Sequence, residues 1–274
     1  MKKIAVINDL SGFGKCSLTA AIPVISAHGI QCCPLTTGVF SNQTGYESYK
    51  SVDFTDYMPG FIHEWQKLGV QFDGILSGFI SNSKQGKIIS YFIDLFKTDD
   101  TLVVIDPVMA DNGEIYPCYD DECIREIINL VQKADIITPN LTELSIMCGK
   151  SYSDLIKLDG VRLLEEIERM SVSLNRTVVT TGIHISDEII ANAVYHNGGF
   201  DIIKSKKLGG SFSGTGDILA SYITAQCVNG TDINSAVQNA SDFIEKSIEE
   251  TINDTNGIYN TADGIHFEKF IKEV

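Results

Sequence analysis

Gly214-Thr215-Gly216-Asp217 stands directly before an apolar, helix-compatible run, Ile218-Leu219-Ala220-Ser221-Tyr222-Ile223. Glycines at a helix entrance let the backbone turn tightly and leave the first helical N–H groups without intrahelical partners. Those donors, together with the helix dipole, favour an anion. A carboxylate is badly placed there if holding phosphate is the only task. Asp217 makes more sense as a group that receives a proton while neighbouring N–H groups hold phosphate oxygens. The plain alternative is that Asp217 caps the helix, as aspartate often does.

Two further polar strings each follow an apolar run. Asp106-Pro107-Val108-Met109-Ala110-Asp111-Asn112-Gly113 follows TLVVI. Two carboxylates in one turning loop can face a cation together, although Asp, Asn, Pro and Gly also favour turns for local reasons. Thr138-Pro139-Asn140-Leu141-Thr142-Glu143 follows ADIIT. Asn140 suits a helix N-cap with Glu143 three residues on, the spacing of a capping box. The other reading places Glu143 in the outer shell of magnesium, which usually keeps several of its waters.

Gly12-Phe13-Gly14-Lys15-Cys16-Ser17 fails as a P-loop. Cys16 occupies the Ser/Thr position, and the first glycine sits too close to Gly14-Lys15. No G-x-G-x-x-G follows the first strand, which removes the main support for a dinucleotide-binding dehydrogenase.

Alternating elements must position these strings. Strands are expected at Lys2 to Asn8, Ile30 to Thr36, Phe72 to Leu76, Thr101 to Ile105, Ala134 to Thr138 and Thr177 to Thr181. Helices are expected at Ser17 to His28 (tolerating Pro23), Phe61 to Leu68, Lys84 to Phe96, Glu122 to Gln132, Leu141 to Cys148, Leu155 to Met170 and Ile233 to Lys246, with a short helical tail near Phe267 to Ile271. Continuously apolar strands alternating with helices indicate a doubly wound, mostly parallel α/β sheet covered on both faces. Ligands of such sheets sit beyond the carboxyl ends of the strands. Asp9–Ser11, Gly78–Phe79, Asp106–Asp111, Asn140–Glu143 and Thr181–Gly182 should therefore share one rim. Glu188 to Tyr195 and Phe200 to Ser205, around His196-Asn197-Gly198-Gly199, read as an antiparallel hairpin at the sheet edge, a small β flap leading into the glycine loop.

The 274 residues fit one large α/β domain, and no linker demands a second. No apolar run approaches the ~20 residues of a membrane span. The start, MKKIAVIND, has too short an apolar run for a signal peptide. Seven cysteines, an odd number without metal-finger spacing, suggest buried thiols in a cytoplasmic protein. Adjacent Cys32 and Cys33 should point to opposite faces of their strand. A formal net charge of −15 argues against nucleic acid and anionic membranes as partners. An acidic protein that handles a nucleotide must gather positive charge locally, from magnesium, helix ends or a few lysines.

The succession DPVMADNG, TPNLTE, VVTTG and SGTGD resembles the ribokinase-like superfamily of small-molecule kinases. Phe40-Ser41-Asn42-Gln43-Thr44-Gly45-Tyr46 and Leu76-Ser77-Gly78-Phe79 extend the resemblance to the vitamin B6 kinases, over nearly the whole chain. The resemblance implies a single kinase domain over residues 1–274, a homodimer, and ATP-dependent phosphorylation of the 5′-hydroxymethyl group of pyridoxal, pyridoxine or pyridoxamine. It implies Asp217 as general base and the N–H groups of Gly214, Thr215 and Gly216 as the anion hole. Asp106, Asp111, Asn140 and Glu143 would organise magnesium and the triphosphate, with Asp106 and Glu143 nearest the metal, and Thr181 would touch a phosphate. Ser11 would face the ring nitrogen, Thr44 would line the ring pocket and Phe79 its wall. A monovalent-cation requirement is left open. Two departures stand out: Phe79 replaces a tyrosine common among relatives, and GFGKCS is unlike the corresponding loop of the best-known ones. The rivals are the same chemistry on hydroxymethylpyrimidine, whose specialised kinases often carry Cys at the position of Asp217, a sugar kinase, and a non-catalytic ligand-binding protein on the same fold.

Overall fold

A computed structural model describes residues 1–273. The elements run β1 (Lys3–Ser11), α1 (Ser17–Ala27), β2 (Gln31–Phe40), β3 (Ser51–Asp53), α2 (Met58–Lys67), β4 (Gly74–Ser77), α3 (Ser83–Phe96), β5 (Leu102–Ile105), β6 (Ala110–Asp111), β7 (Glu114–Ile115) and α4 (Asp121–Val131). They continue with β8 (Ile136–Ile137), α5 (Leu141–Met147), α6 (Tyr152–Leu155), α7 (Gly160–Ser173), β9 (Thr177–His184), β10 (Ile189–His196), β11 (Gly199–Lys206), α8 (Thr215–Val228) and α9 (Ile233–Asp254).

A nine-stranded sheet has the order β11-β10-β9-β8-β5-β4-β1-β2-β3. Its centre, β9 to β2, is parallel, and antiparallel strands occupy both ends. β6 and β7 form a separate two-stranded antiparallel piece beside α5. The chain starts at β1, winds outward to β2 and β3, then crosses back to β4. The switch point of this doubly wound sheet therefore lies between β1 and β4, where such folds place ligands.

Burial explains the strand composition. Ala5 and Ile7 join the core on one face of the sheet, and Ile4 and Val6 join the core on the other. Cys33 and Cys32 divide the same way, as their adjacency on a strand requires. All seven cysteines are free, but only Cys16 and Cys123 are buried; Cys32, Cys33, Cys148 and Cys227 are half-buried and Cys118 is exposed. In α8, Ile218 to Ala225 are buried without interruption, so this helix is apolar all round and lies inside, against α1 and α9. Among the described residues, no helix is long and apolar enough to cross a membrane. The hairpin turns at Asn197 and Gly198, both at positive φ, as a two-residue type I′ turn demands.

Several expected boundaries shift. β1 runs on through Ser11 instead of ending at Asn8, because Leu10 and Ser11 pair with Val39 and Phe40 after a register change. β2 accordingly continues past Thr36 to Phe40. The single helix expected from Leu155 to Met170 is two, because Asp159 accepts the Arg162 N–H and starts a new helix at Gly160. α9 extends to Asp254, and the tail near Phe267 closes in a 3-10 turn at Ile271–Glu273.

Candidate active site

The glycine loop enters α8 through Gly214, whose φ of +79° lies in the left-handed region. A Cβ on Gly214 would sit 1.9 Å from the Lys15 carbonyl oxygen, so the loop before α1 and the start of α8 meet backbone to backbone. No side chain caps α8, which leaves its N-terminal donors to the cleft. Thr215 turns its hydroxyl back to the Phe212 carbonyl at 3.0 Å. Asp217 is the third residue of the helix and not its cap. Its half-buried carboxylate accepts a hydrogen bond from Asn8 Nδ2 at 2.9 Å and lies beside the Ser17 N–H. Desolvation pushes its pKa up to about 6, the Ser17 and Asn8 donors pull it down, and the charge of Asp9 raises it. A carboxyl so tuned can hold and release a proton near neutrality.

Asp106 follows β5 and accepts the Thr138 hydroxyl at 3.1 Å. It faces the start of α8, since a Cβ on Gly216 would lie 3.9 Å from Asp106 Oδ2. Burial, then the charge of Asp217, pushes its pKa up to about 7. Asn140 and Glu143 form a capping box at α5: Asn140 Oδ1 accepts the Glu143 N–H and Glu143 Oε2 accepts the Asn140 N–H, each at 2.9 Å. Glu143 also accepts the Met109 N–H at 3.0 Å, and Asn140 Nδ2 donates to the Ala110 carbonyl at 2.8 Å. One box thus ties the loop after β5 to the start of α5. Glu143 is 4% exposed, and burial followed by the charge of Asp106 drives its pKa well above the ordinary carboxyl value. Thr181 bonds through its N–H to the Pro139 carbonyl at 2.8 Å and bridges to Asn140. Asp111 turns onto Asn112, accepting from its N–H at 2.9 Å and its side chain at 3.0 Å.

The expected rim is therefore assembled, but its substrate side differs in detail. Ser11 is 2% exposed and donates its hydroxyl to Asp9 at 2.8 Å, so the donor expected at a ring nitrogen is already committed inward. Phe79 packs between Phe40 and Tyr119, with ring centroids 6.0 and 5.9 Å away. Thr44 is exposed, on a loop held by its neighbours. Buried Gln43 donates to the Ala262 carbonyl at 3.1 Å, and the Tyr46 hydroxyl bonds to Asp263. The Ser213 N–H bonds to the Thr261 carbonyl at 3.0 Å. The segment 261–263 thus joins the loop after β2 to the glycine loop.

Asn8 and Ser17 escape sequence reasoning, and Asp9, expected only as part of the rim, binds them into one cluster. Asp9 is buried and receives the hydroxyls of Ser11 and Ser17, and burial raises its pKa. Ser17 carries a positive φ of 50° at the first residue of α1, a conformation that costs a non-glycine residue energy and is held here by Asp9. The signal was an amide and a carboxylate closing the apolar run IAVI of a buried strand. Cys16, beside them, is no nucleophile: burial and the charges of Asp217 and Asp9 push its thiol up to about 12.

The phosphomethylpyrimidine kinase family matches residues 16–262. A provisionally named phosphomethylpyrimidine kinase of Bacteroides thetaiotaomicron, solved with pyridoxal, is 37% identical with a TM-score of 0.91, covering 99% of this chain and 95% of its own. The pyridoxal kinase of Lactobacillus plantarum is 25% identical with a TM-score of 0.89, covering 100% of this chain and 96% of its own. A pyridoxal kinase of Leifsonia xyli is 26% identical over 248 residues, 86% of this chain and 84% of the relative. With the ribokinase-like sheet, the uncapped entrance of α8 and the carboxylate beside it, these matches make the chain an ATP-dependent small-molecule kinase, and it belongs to the phosphomethylpyrimidine kinase family.

Proposed function

We propose that residues 1–274 act as one catalytic domain that transfers the γ-phosphoryl group of ATP to the 5′-hydroxymethyl group of pyridoxal, pyridoxine or pyridoxamine, giving the 5′-phosphate and ADP. The observation that carries the chemistry is Asp217, half-buried, perturbed toward neutrality and placed at the uncapped entrance of α8. Phosphoryl transfer asks the protein mainly for positioning and charge stabilisation. Asp217 accepts the hydroxyl proton late in the transfer, while the N–H groups of Gly214, Thr215 and Gly216 face the charge developing on the phosphoryl oxygens. Asp111, Asn140 and Thr181 border the triphosphate beside Asp106. Phe79 supplies wall area for a flat ring, Thr44 bonds its substituents, and Ser11 acts on the ring side through Asp9.

Magnesium fits this donor set. Asp106, Asp217 and Glu143 gather negative charge that burial makes costly, and a cation beside Asp106 would relieve it. Among the described residues, no group of three or more His, Cys, Asp or Glu side chains is arranged to hold a metal alone. That suits an ion which keeps waters and takes phosphate oxygens as ligands. Asp106 would hold it and Glu143 would reach it through water; when bound, it supplies the positive charge that the acidic chain lacks.

The choice of ring is supported by the pyridoxal found with the Bacteroides relative and by the pyridoxal kinases among the other relatives. The second reading, phosphorylation of hydroxymethylpyrimidine, is favoured by a family named for the phosphorylated form of that ring and by a hydroxymethylpyrimidine/phosphomethylpyrimidine kinase among the relatives. The free cysteines suit the cytoplasm, and the resemblance to B6 kinases extends to a homodimer, which sedimentation of the purified chain checks. A phosphorylation assay over the three B6 vitamers, hydroxymethylpyrimidine and simple sugars decides the substrate. Inert B6 vitamers alongside phosphorylated hydroxymethylpyrimidine would overturn the ring assignment and leave the kinase chemistry standing.

A further inference from the structure

Asn8 closes the apolar stretch of β1, which lies between β4 and β2 in the parallel part of the sheet, and is 4% exposed. Its Oδ1 accepts two backbone N–H groups, from Asp9 and from Phe79, each at 3.0 Å. Its Nδ2 donates to Asp217 Oδ1 at 2.9 Å. An atom receiving two N–H donors must be the amide oxygen, so the nitrogen is forced toward Asp217. Gly78 closes over the same amide, for a Cβ there would lie 2.6 Å from Nδ2. The amide can neither flip nor swing away. One side chain thereby spans β1, the loop after β4 and the start of α8, across the switch point of the sheet.

This arrangement suits a base. Two neutral donors, Asn8 Nδ2 and the Ser17 N–H, steady the Asp217 carboxylate without neutralising it, and the lone pairs they leave are free for a substrate hydroxyl. The partner amide oxygen grips the backbone of Phe79, whose ring packs against Phe40 and Tyr119 and is the wall of the proposed ring site. The distance from base to wall is then set by one rigid group. We propose that Asn8 is a positioning residue that aims the Asp217 carboxylate at the acceptor hydroxyl and holds it in register with the Phe79 wall. The proposal rests on Asp217 being the base.

Asn8→Asp tests it closely. The shape is kept and both backbone N–H groups still find an acceptor, but the donor to Asp217 becomes a carboxylate facing a carboxylate. We expect kcat to fall by about 10²-fold with KM for ATP within about twofold of wild type. The double-mutant cycle with Asp217→Asn separates aim from scaffolding. In the Asp217→Asn background the Asn8→Asp change should cost less than about threefold in kcat, because the aim no longer matters. The double variant should also regain part of the thermal stability lost by Asn8→Asp, since the amide at 217 can donate to the carboxylate at 8. Asn8→Ser, smaller and uncharged, gives the same cycle should Asn8→Asp not fold, with an expected loss of about tenfold. Wild-type kcat in these variants, or losses that multiply in the double variant, would overturn the positioning role while Asp217→Asn remains inactive. An Asp217→Asn variant that stays active removes the base, and the positioning role with it.

Discussion

Asp106 and Asp217 confront each other at the entrance of α8, two carboxylates carried by the ends of different elements. Burial, then the charge of Asp217, pushes Asp106 up to about 7, and burial raises Asp217 to about 6 against the Ser17 and Asn8 donors that pull it down. Both folded values lie above the ordinary 3.8, so the folded chain binds more protons than the unfolded chain between about pH 4 and pH 7. Stability from these groups is fully present below that window and is lost as pH rises through it. In metal-free buffer the melting temperature should therefore fall between about pH 5.5 and pH 7.5, and Asp106→Asn should flatten the fall. Added magnesium should restore stability at the upper end. A melting temperature that rises over this range in the wild-type chain would contradict the assignment.

Asp217→Asn keeps the shape and the hydrogen-bonding capacity of the side chain but cannot take a proton. Its kcat should drop by about 10²–10⁴-fold with ATP binding little changed. Retention of more than about a tenth of the wild-type kcat would remove Asp217 from the base role.

Glu143→Gln replaces one of two carboxylate oxygens that already accept backbone N–H groups. An amide nitrogen would then face a donor, so the capping box should weaken by about 1 kcal/mol. A separate rise in the magnesium concentration needed for half-maximal rate, of about 10–100-fold, would mark the metal role. Lowered melting temperature with an unchanged magnesium titration assigns Glu143 to capping alone.

Gly214→Ala adds one methyl group where there is no room, 1.9 Å from the Lys15 carbonyl oxygen and at a φ of +79°. The left-handed backbone alone costs about 1–2 kcal/mol for a residue with a Cβ, and the clash adds to it by forcing the loop before α1 away. Both the melting temperature and kcat should fall, whereas Gly230→Ala, also at positive φ but with nothing within 4 Å, should lose stability only. Equal activity in the two variants would mean that the contact with Lys15 does not shape the site.

Much of the fold was legible because its cause is local. Continuous apolar runs such as TLVVI announce strands buried on both faces, and Asn197-Gly198 announces the hairpin turn. Asp217 was legible for the same reason, since glycines before an apolar helix are a statement about backbone geometry. Asn140 and Glu143 satisfied a three-residue spacing that the structure realises as a capping box. What could not be read was the direction of side chains on β1. Ser11 sits on the expected rim, yet its hydroxyl is drawn inward by Asp9, and that choice depends on Ser17 from the next helix. Asn8 shows in the sequence only as a polar residue closing an apolar strand, because its partners belong to α8 and the loop after β4.

The clasp between segment 261–263 and the loop after β2 has a kinetic consequence. Gln43 and Ala262 are separated by 219 positions, Tyr46 and Asp263 by 217, and Asn8 and Asp217 by 209. Helices and neighbouring strands can form from short loops, but these joints require nearly the whole chain to be gathered first. Refolding should restore the far-ultraviolet helical signal before it restores turnover. The lag between the two would time the moment at which the early and late thirds of the chain close on each other.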